Sequence, residues 1–154
     1  MKRFEIVFGI LILIALFFKI AHWPGGGILA TISLTSLACF YYLFSFAFFN
    51  KIRLTNIFKG SSYKGISTQQ IIVSIVAGFG LSTVCIGILF KMMHWPGAAI
   101  MLLSGLITIF VVAIISLIKF FRSKNDCDKQ ILLRIAIIGV IGLFSFFSTD
   151  LGLV

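Results

Sequence analysis

Five long apolar runs divide the chain, and short segments with Lys, Arg, Gly or Pro separate them. Each run has close to the roughly 20 apolar residues that a helix needs to cross a bilayer. Backbone polar groups in lipid must be satisfied within the structure, so the runs predict helices rather than an open sheet. The sequence therefore predicts an all-α membrane protein with five transmembrane helices. The runs cover residues 4–20, 27–49, 71–90, 98–121 and 131–147.

The overall composition supports a membrane protein and argues against a soluble enzyme. Of the 154 residues, 60% are hydrophobic and only 11% are charged, with a mean hydropathy of +1.18. A soluble domain of this size would have too few polar groups to cover its surface. Five spans also leave too few residues for a separate extramembrane domain of about 50 residues or more. Because the chain has two Pro and few charges, disorder is not the explanation either.

The Lys and Arg residues that give the net charge of +9 lie between the apolar runs or near their ends. This arrangement indicates contact with a bilayer that has anionic headgroups, and not binding to nucleic acid. If the spans alternate, Lys19 and Lys91 lie on one side and the other Lys and Arg residues lie opposite. Short cytoplasmic loops carry the excess of positive charge. We therefore expect a multi-pass inner-membrane protein with a cytoplasmic N-terminus and a periplasmic C-terminus.

The first and last runs each contain ionisable residues that bear on this topology. Lys2 and Arg3 precede the first run as in a secretory signal, but no small-x-small cleavage site follows, so we expect a retained span. Glu5 suits the first turn of that helix, where a carboxylate meets the positive end of the helix dipole. Arg134 lies one turn into the fifth run, and we expect its side chain to snorkel to the membrane interface.

The longest connection between runs, residues 50–70, allows two interpretations. Leu54, Ile57 and Phe58 share one face of a helix, and basic residues lie close by, so the segment could lie flat on anionic headgroups. The alternative is a solvated basic loop that only obeys the orientation rule. Both interpretations place the segment in the cytoplasm.

An internal duplication is the most informative feature of the chain. Residues 18–25, with the sequence FKIAHWPG, recur as residues 90–97, with the sequence FKMMHWPG. Each copy joins two apolar runs, so the repeating unit is a two-helix hairpin. A unit with an even number of spans enters the membrane in the same direction each time, which predicts a parallel repeat about the membrane normal. Both turns should then lie on the outer face.

This duplication divides the chain into four parts. Residues 1–53 form the first transmembrane hairpin repeat, and residues 54–69 form a basic cytoplasmic connection. Residues 70–125 form the second hairpin repeat. Residues 126–154 form the fifth transmembrane helix and an outer C-terminus.

The repeated motif contains the candidate functional residues. Pro ends or begins a helix, Gly permits a sharp turn, and Trp favours the headgroup level. The Lys and the His stand three residues apart, so they share a helix face. The motif could simply build and anchor a hairpin, could form a functional Lys/His cluster, or could bind a metal through its two His. The candidates are Lys19, His22, Trp23, Pro24, Gly25, Lys91, His94, Trp95, Pro96 and Gly97.

The F-K-x-x-H-W-P-G motif between two spans resembles the membrane hairpin of GldL, the motor subunit of gliding motility and type IX secretion in Bacteroidota. The resemblance covers roughly residues 10–48 and 82–120. It implies a hairpin that forms an oligomer around a single-span membrane partner and uses the proton gradient. It also places the family's Lys and His positions at Lys19, His22, Lys91 and His94.

Two departures from that family argue against motor activity. The family has a membrane-buried Glu in its second span, whereas residues 27–49 and 98–117 contain no Asp or Glu. Hydroxyl side chains cannot take the place of a group that ionises within the membrane. The chain also has no long cytoplasmic tail to drive assembly, so we expect a duplicated relative without proton-driven activity.

The remaining chemistry does not support an enzyme. No G-x-S-x-G, P-loop or H-E-x-x-H motif occurs, so we assign no catalytic residue and no cofactor. Cys39 and Cys85 read as small packing residues, and Cys127 lies on the reducing cytoplasmic side. An odd count without C-x-x-C supports neither a disulfide framework nor a metal site. Asp150 is the one acid predicted on the outer side, where it could pair with Lys19 or Lys91.

Two functional classes remain open at this stage. The first is a non-catalytic assembly or scaffold protein of the GldL-like type in a bacterial envelope complex, acting as a homo-oligomer or with a single-span membrane partner. The second is a small ion-conducting or transport protein. The absence of an acid from the two long spans argues against proton-coupled transport.

Overall fold

The protein is a bundle of five α-helices in the part of the chain that its computed structural model describes, residues 2–57, 59, 65–123 and 126–147. Each of the five apolar runs forms one helix, which confirms the predicted all-α class. The helices extend beyond the apolar runs by at most five residues, because polar residues form their ends. They are α1 (Lys2–Ile20), α2 (Gly26–Phe49), α3 (Thr68–Met92), α4 (Ala98–Ser123) and α5 (Asp126–Phe147).

Four of these helices are long and apolar enough to cross a membrane, judged by length and composition. They are α2, α3, α5 and the segment Ala98–Arg122 of α4. The first helix, α1, has 19 residues and includes Arg3, Glu5 and Lys19. A membrane crossing by α1 therefore stays a prediction from its apolar centre and its place in the first hairpin.

Helix α3 lies at the centre of the bundle, in contact with α2, α4 and α5, whereas α1 packs mainly on α2. Glycines permit this central position. A β-carbon at Gly87 would lie only 2.9 Å from the backbone nitrogen of Leu102 on α4. One at Gly142 on α5 would lie 2.7 Å from a methyl group of Val84 on α3. Small residues let helix backbones approach closely, which is how transmembrane helices gain packing contacts.

The exposed surface of the bundle is largely apolar. On α4, Ile100, Phe110 and Phe121 are 75%, 65% and 76% exposed, and α5 has similar side chains. Large exposed apolar surfaces of this kind are rare on soluble monomers and normal where lipid is the solvent. The same helices bury a compact core along α3, with Leu81 and Leu102 fully enclosed.

In the connection between α2 and α3, the described residues include a three-residue 3-10 turn, Leu54–Asn56. Whether this segment lies flat on anionic headgroups or forms a solvated loop stays a prediction. Ile52 is buried against the bundle, which holds the start of this connection close to the helix ends. Phe58, part of the proposed apolar face, lies outside the described residues.

Candidate functional site

The first copy of the motif forms a tight turn between α1 and α2. The backbone N–H of Trp23 donates to the carbonyl of Phe18 over 2.8 Å, which closes the end of α1. His22 and Gly25 both adopt positive φ angles, 55° and 94°. The chain then enters α2, where Leu29 N–H donates to the Gly25 carbonyl over 3.0 Å. Two left-handed residues within four positions reverse the chain direction.

The second copy of the motif repeats this geometry between α3 and α4. Trp95 N–H donates to the Phe90 carbonyl over 2.9 Å, and Met101 N–H donates to the Gly97 carbonyl over 3.1 Å. His94 and Gly97 have φ angles of 55° and 88°. The Gly tolerates this conformation without a steric cost, and His is one of the few other residues enriched there.

The aromatic residues of each copy contact each other in the same way. Trp23 meets Phe18 edge to face with ring centroids 5.3 Å apart. Trp95 meets Phe90 edge to face at 5.2 Å. Such pairs contribute about 0.5–1.5 kcal/mol beyond the area that they bury. The Phe at the start of the motif therefore holds the Trp ring of the same turn, a role that its sequence alone did not reveal.

Both turns lie at the same end of the bundle, which we call the turn end. A cleft of about 320 Å³ lies between them. Gly27 faces the other turn closely, since a β-carbon there would lie 3.5 Å from the sulfur of Met93. The structure thus brings part of both motif copies together. The cleft is lined by Lys19, His22, Trp23, Gly25, Gly26, Gly27 and His94.

The other candidate motif residues have a different placement. Lys91 is half-buried, and it does not line the cleft. Trp95 and Gly97 are exposed, as are Pro24 and Pro96. The two copies are therefore equal in backbone geometry but unequal in their contribution to the cleft.

The partner predicted for the motif lysines is Asp150. Asp150 lies outside the described residues, so its pairing with Lys19 or Lys91 stays a prediction. Within residues 2–57, 59, 65–123 and 126–147, no carboxylate forms a salt bridge with either lysine. The same residues contain no group of three or more His, Cys, Asp or Glu side chains that could hold a metal ion.

A second polar cluster lies toward the opposite end of the bundle, and sequence reasoning missed it. Arg134 on α5 donates from Nε to Oε1 and from Nη2 to Oε2 of Glu5 on α1, both over 2.7 Å. Tyr41 on α2 donates its hydroxyl proton to the same Oε1 over 2.5 Å. The Arg134 guanidinium also stacks over the Phe48 ring, 4.5 Å from its centroid. One cluster thus joins three helices.

Arg134 reaches a carboxylate between the helices, and its snorkelling to the membrane interface stays a prediction. The residue is only 8% exposed, and its guanidinium points into the bundle. Snorkelling releases a lone charge from lipid, and a bidentate carboxylate partner stabilises the charge as well. The available signal was that Glu5 and Arg134 each lie inside an apolar run, where an ionisable group needs a partner.

The geometry of the first hairpin explains why Tyr41 reaches Glu5. Glu5 lies 18 residues before Trp23, and Tyr41 lies 18 residues after it. In two antiparallel helices joined by this turn, residues at equal distances from the turn lie at the same level. The contact between Glu5 and Tyr41 is therefore predictable from the sequence once the connection between α1 and α2 is known to be a short turn.

Smaller polar contacts lie near the ends of α2, α3 and α5. Lys51 and Asp126 form an exposed salt bridge of 2.6 Å. Asn50 donates to the Ser74 hydroxyl over 3.2 Å, and that hydroxyl lies 3.7 Å from the sulfur of Cys127. Cys127 is buried, whereas Cys39 is exposed on the bundle surface and does not pack inside it as expected.

The comparisons with known proteins point to one family. Residues 76–131 match the family model described as the GldL N-terminal domain. The matched segment contains most of α3, the second motif turn, α4 and the start of α5. No curated protein and no solved structure matches the chain. Over about a third of its length, the chain is therefore similar to the N-terminal domain of GldL.

Proposed function

We propose that the protein is a non-catalytic integral membrane component of the GldL-like type, with an assembly or scaffold role in a bacterial envelope complex such as the gliding or type IX secretion apparatus. The observation that carries this proposal is the match over residues 76–131 to the GldL N-terminal domain. The match falls on a complete turn with two apolar helices, which is the membrane-embedded unit, and not on a soluble segment.

The two hairpins are proposed to be copies of one unit, arranged as a parallel repeat. The equal φ angles, hydrogen bonds and Trp–Phe contacts of the two turns support this proposal. Their position at one end of the bundle supports it as well. A duplicated hairpin in one chain would replace two subunits of an oligomer, because each copy presents the same kind of helix pair.

The proposed topology has five spans, with the turn end in the periplasm and the N-terminus in the cytoplasm. Apart from Lys19 and Lys91, the Lys and Arg residues fall on the opposite side from the turns in this arrangement. Cytoplasmic loops carry such an excess. The first helix spans as the partner of α2, since its charged side chains lie near its two ends.

The outer faces of α4 and α5 are the surfaces on which assembly would occur. Both helices are about one-fifth buried within the bundle over their most apolar stretch, against more than half for α2 and α3. Such a face can pack on a second copy of the chain or on a single-span membrane partner. Lipid covers the same face when no partner is bound.

Isolation of the full chain from its native membrane tests the scaffold role. The tagged protein, extracted in a mild detergent, is expected to migrate as a complex of fixed stoichiometry by native mass spectrometry, with itself or with a single-span membrane protein. Phe110→Ala, on the exposed face of α4, should weaken the complex, and Leu103→Ala on the same helix provides a second site. Recovery of a monomer alone at every detergent concentration would contradict the proposal.

A small ion-conducting or transport protein is the second candidate. The observation that favours it is the Glu5–Arg134 pair, because ionisable residues that pair between the helices of a membrane protein often mark ion pathways. We nevertheless expect no proton flux from this chain alone, since residues 27–49 and 98–117 contain no acid. Reconstituted vesicles whose proton flux rises with the amount of protein, and falls with Glu5→Gln, would favour this second function.

A further inference from the structure

We infer that the cleft at the turn end is a binding site for a phosphate group, supplied by an anionic phospholipid headgroup or by free phosphate. The inference is independent of the scaffold function, since it rests on the cleft and on the side chains that line it. The cleft measures about 320 Å³, at the lower end of the usual size for a small-molecule site.

The ionisable side chains of the cleft favour an anion, within a lining whose surface is mostly apolar. It contains the Lys19 ammonium and the imidazoles of His22 and His94, and no carboxylate is among its described residues. These three side chains come from both turns, so the site exists only in the folded bundle. The Lys19 ammonium and the His94 imidazole N–H are donors that a phosphate oxygen accepts readily.

Three consecutive glycines form part of the lining of the cleft. Gly25, Gly26 and Gly27 line it, and α2 begins at Gly26. No side chain caps this helix start by a hydrogen bond. The first amides of the helix have no acceptor within the helix, and at the edge of the cleft they can supplement the donors of Lys19 and His94.

The surroundings of the cleft favour a lipid as the source of the phosphate. Trp23, which lines the cleft, is amphipathic and suits the headgroup level of a bilayer. Phe17 and Ile28 flank the turn and are 59% and 70% exposed, so acyl chains can cover them while the headgroup lies in the cleft.

Quenching of Trp23 fluorescence by brominated lipids tests the site in the full-length chain. The Trp95→Phe variant leaves Trp23 as the sole Trp and keeps an aromatic ring against Phe90. In phosphatidylcholine nanodiscs, brominated phosphatidylglycerol should quench Trp23 more strongly than brominated phosphatidylcholine at equal mole fraction. Inorganic phosphate that reverses the quenching would identify free phosphate as a ligand, whereas no reversal would identify the lipid headgroup; both results support the site.

Matched lysine variants distinguish binding in the cleft from a general attraction of anionic lipid to positive surface charge. Lys19→Gln should weaken the preference for phosphatidylglycerol about fivefold, since one basic residue near an anionic surface contributes about 1 kcal/mol. Lys91→Gln, the equivalent position outside the cleft, should retain the preference, and Lys19→Arg should restore most of it. Equal quenching by the two lipids, or equal effects of Lys19→Gln and Lys91→Gln, would overturn the inference. Circular dichroism of each variant establishes that the helices are intact.

Discussion

Arg134 on α5 and Glu5 on α1 form a two-hydrogen-bond ion pair, with both N–O distances at 2.7 Å, although 129 residues separate them in sequence. The pair joins the first and last helices of the bundle, and α1 otherwise packs mainly on α2. It therefore closes the bundle, the role that sequence reasoning assigned to an ion pair between Asp150 and a motif lysine.

A double-mutant cycle measures the strength of this pair. Glu5→Gln and Arg134→Gln are each expected to lower the free energy of unfolding by about 3 kcal/mol, because each leaves a largely desolvated charge without its partner. The double variant should lose little more than the worse single variant. The measurement is unfolding of the detergent-solubilised protein by SDS titration.

The exposed pair Lys51–Asp126 is the control for that cycle. Its side chains are 58% and 73% exposed, so solvent screens their attraction. Lys51→Gln and Asp126→Asn should each change stability much less than the Glu5 and Arg134 variants. Strict additivity between Glu5→Gln and Arg134→Gln would show that the two residues do not interact.

Tyr41→Phe should destabilise the bundle by removing the second donor to Glu5. The hydroxyl lies 2.5 Å from Oε1, and Tyr41 is only 1% exposed. A hydrogen bond to a charged group contributes about 1.5–3 kcal/mol. Tyr42→Phe is the control, because Tyr42 is 60% exposed and should tolerate the loss of its hydroxyl. Thermal melting in detergent compares them, and equal melting temperatures would refute the role of Tyr41.

Gly87→Ala should destabilise the contact between α3 and α4. The added methyl group would lie 2.9 Å from the backbone nitrogen of Leu102, so the two helices must separate. Overpacking of this kind costs about 1–3 kcal/mol. At Gly9 on α1 nothing lies within 4 Å, so Gly9→Ala should be neutral or stabilise the helix by about 0.5–1 kcal/mol. A more stable Gly87→Ala variant would contradict this packing.

Position 94 requires a residue that tolerates a left-handed backbone conformation. His94 has a φ of 55°, which Asn tolerates and a β-branched residue does not. His94→Asn should leave the melting temperature unchanged. His94→Val should lower the melting temperature, because it reduces the free energy of unfolding by about 1–2 kcal/mol. If both variants melt alike, the left-handed turn is not a constraint.

Thiol labelling from outside the cell tests the orientation. In a background with Cys39, Cys85 and Cys127 replaced by Ala, single cysteines at Ala21 and Ala99 should react with a membrane-impermeant maleimide in intact spheroplasts. A cysteine at Lys59 should react only after the membrane is permeabilised. Labelling that places Ala21 and Ala99 on different sides would contradict the parallel repeat. Labelling of Lys59→Cys alone in intact spheroplasts would show that the topology is the reverse of the proposed one.

Local properties of the chain determined the helices and the turns. An apolar run of about 20 residues has one low-energy form in lipid, so its ends follow from composition. The Pro and Gly residues of the motif determine where α1 and α3 end, because their effects act on neighbouring residues. The structure confirms these helices within its described residues, 2–57, 59, 65–123 and 126–147.

The tertiary structure alone decided which residues far apart in sequence become partners. An apolar helix can pack with any of its faces toward its neighbours. The sequence therefore does not determine whether α5 lies beside α1 or far from it. Glu5 and Arg134 therefore come into contact only in the assembled bundle, and Lys19 and His94 line one cleft only there. The physical reason is that the energy of a buried ion pair or a shared cleft depends on distance in space, whereas helix formation depends on neighbours along the chain.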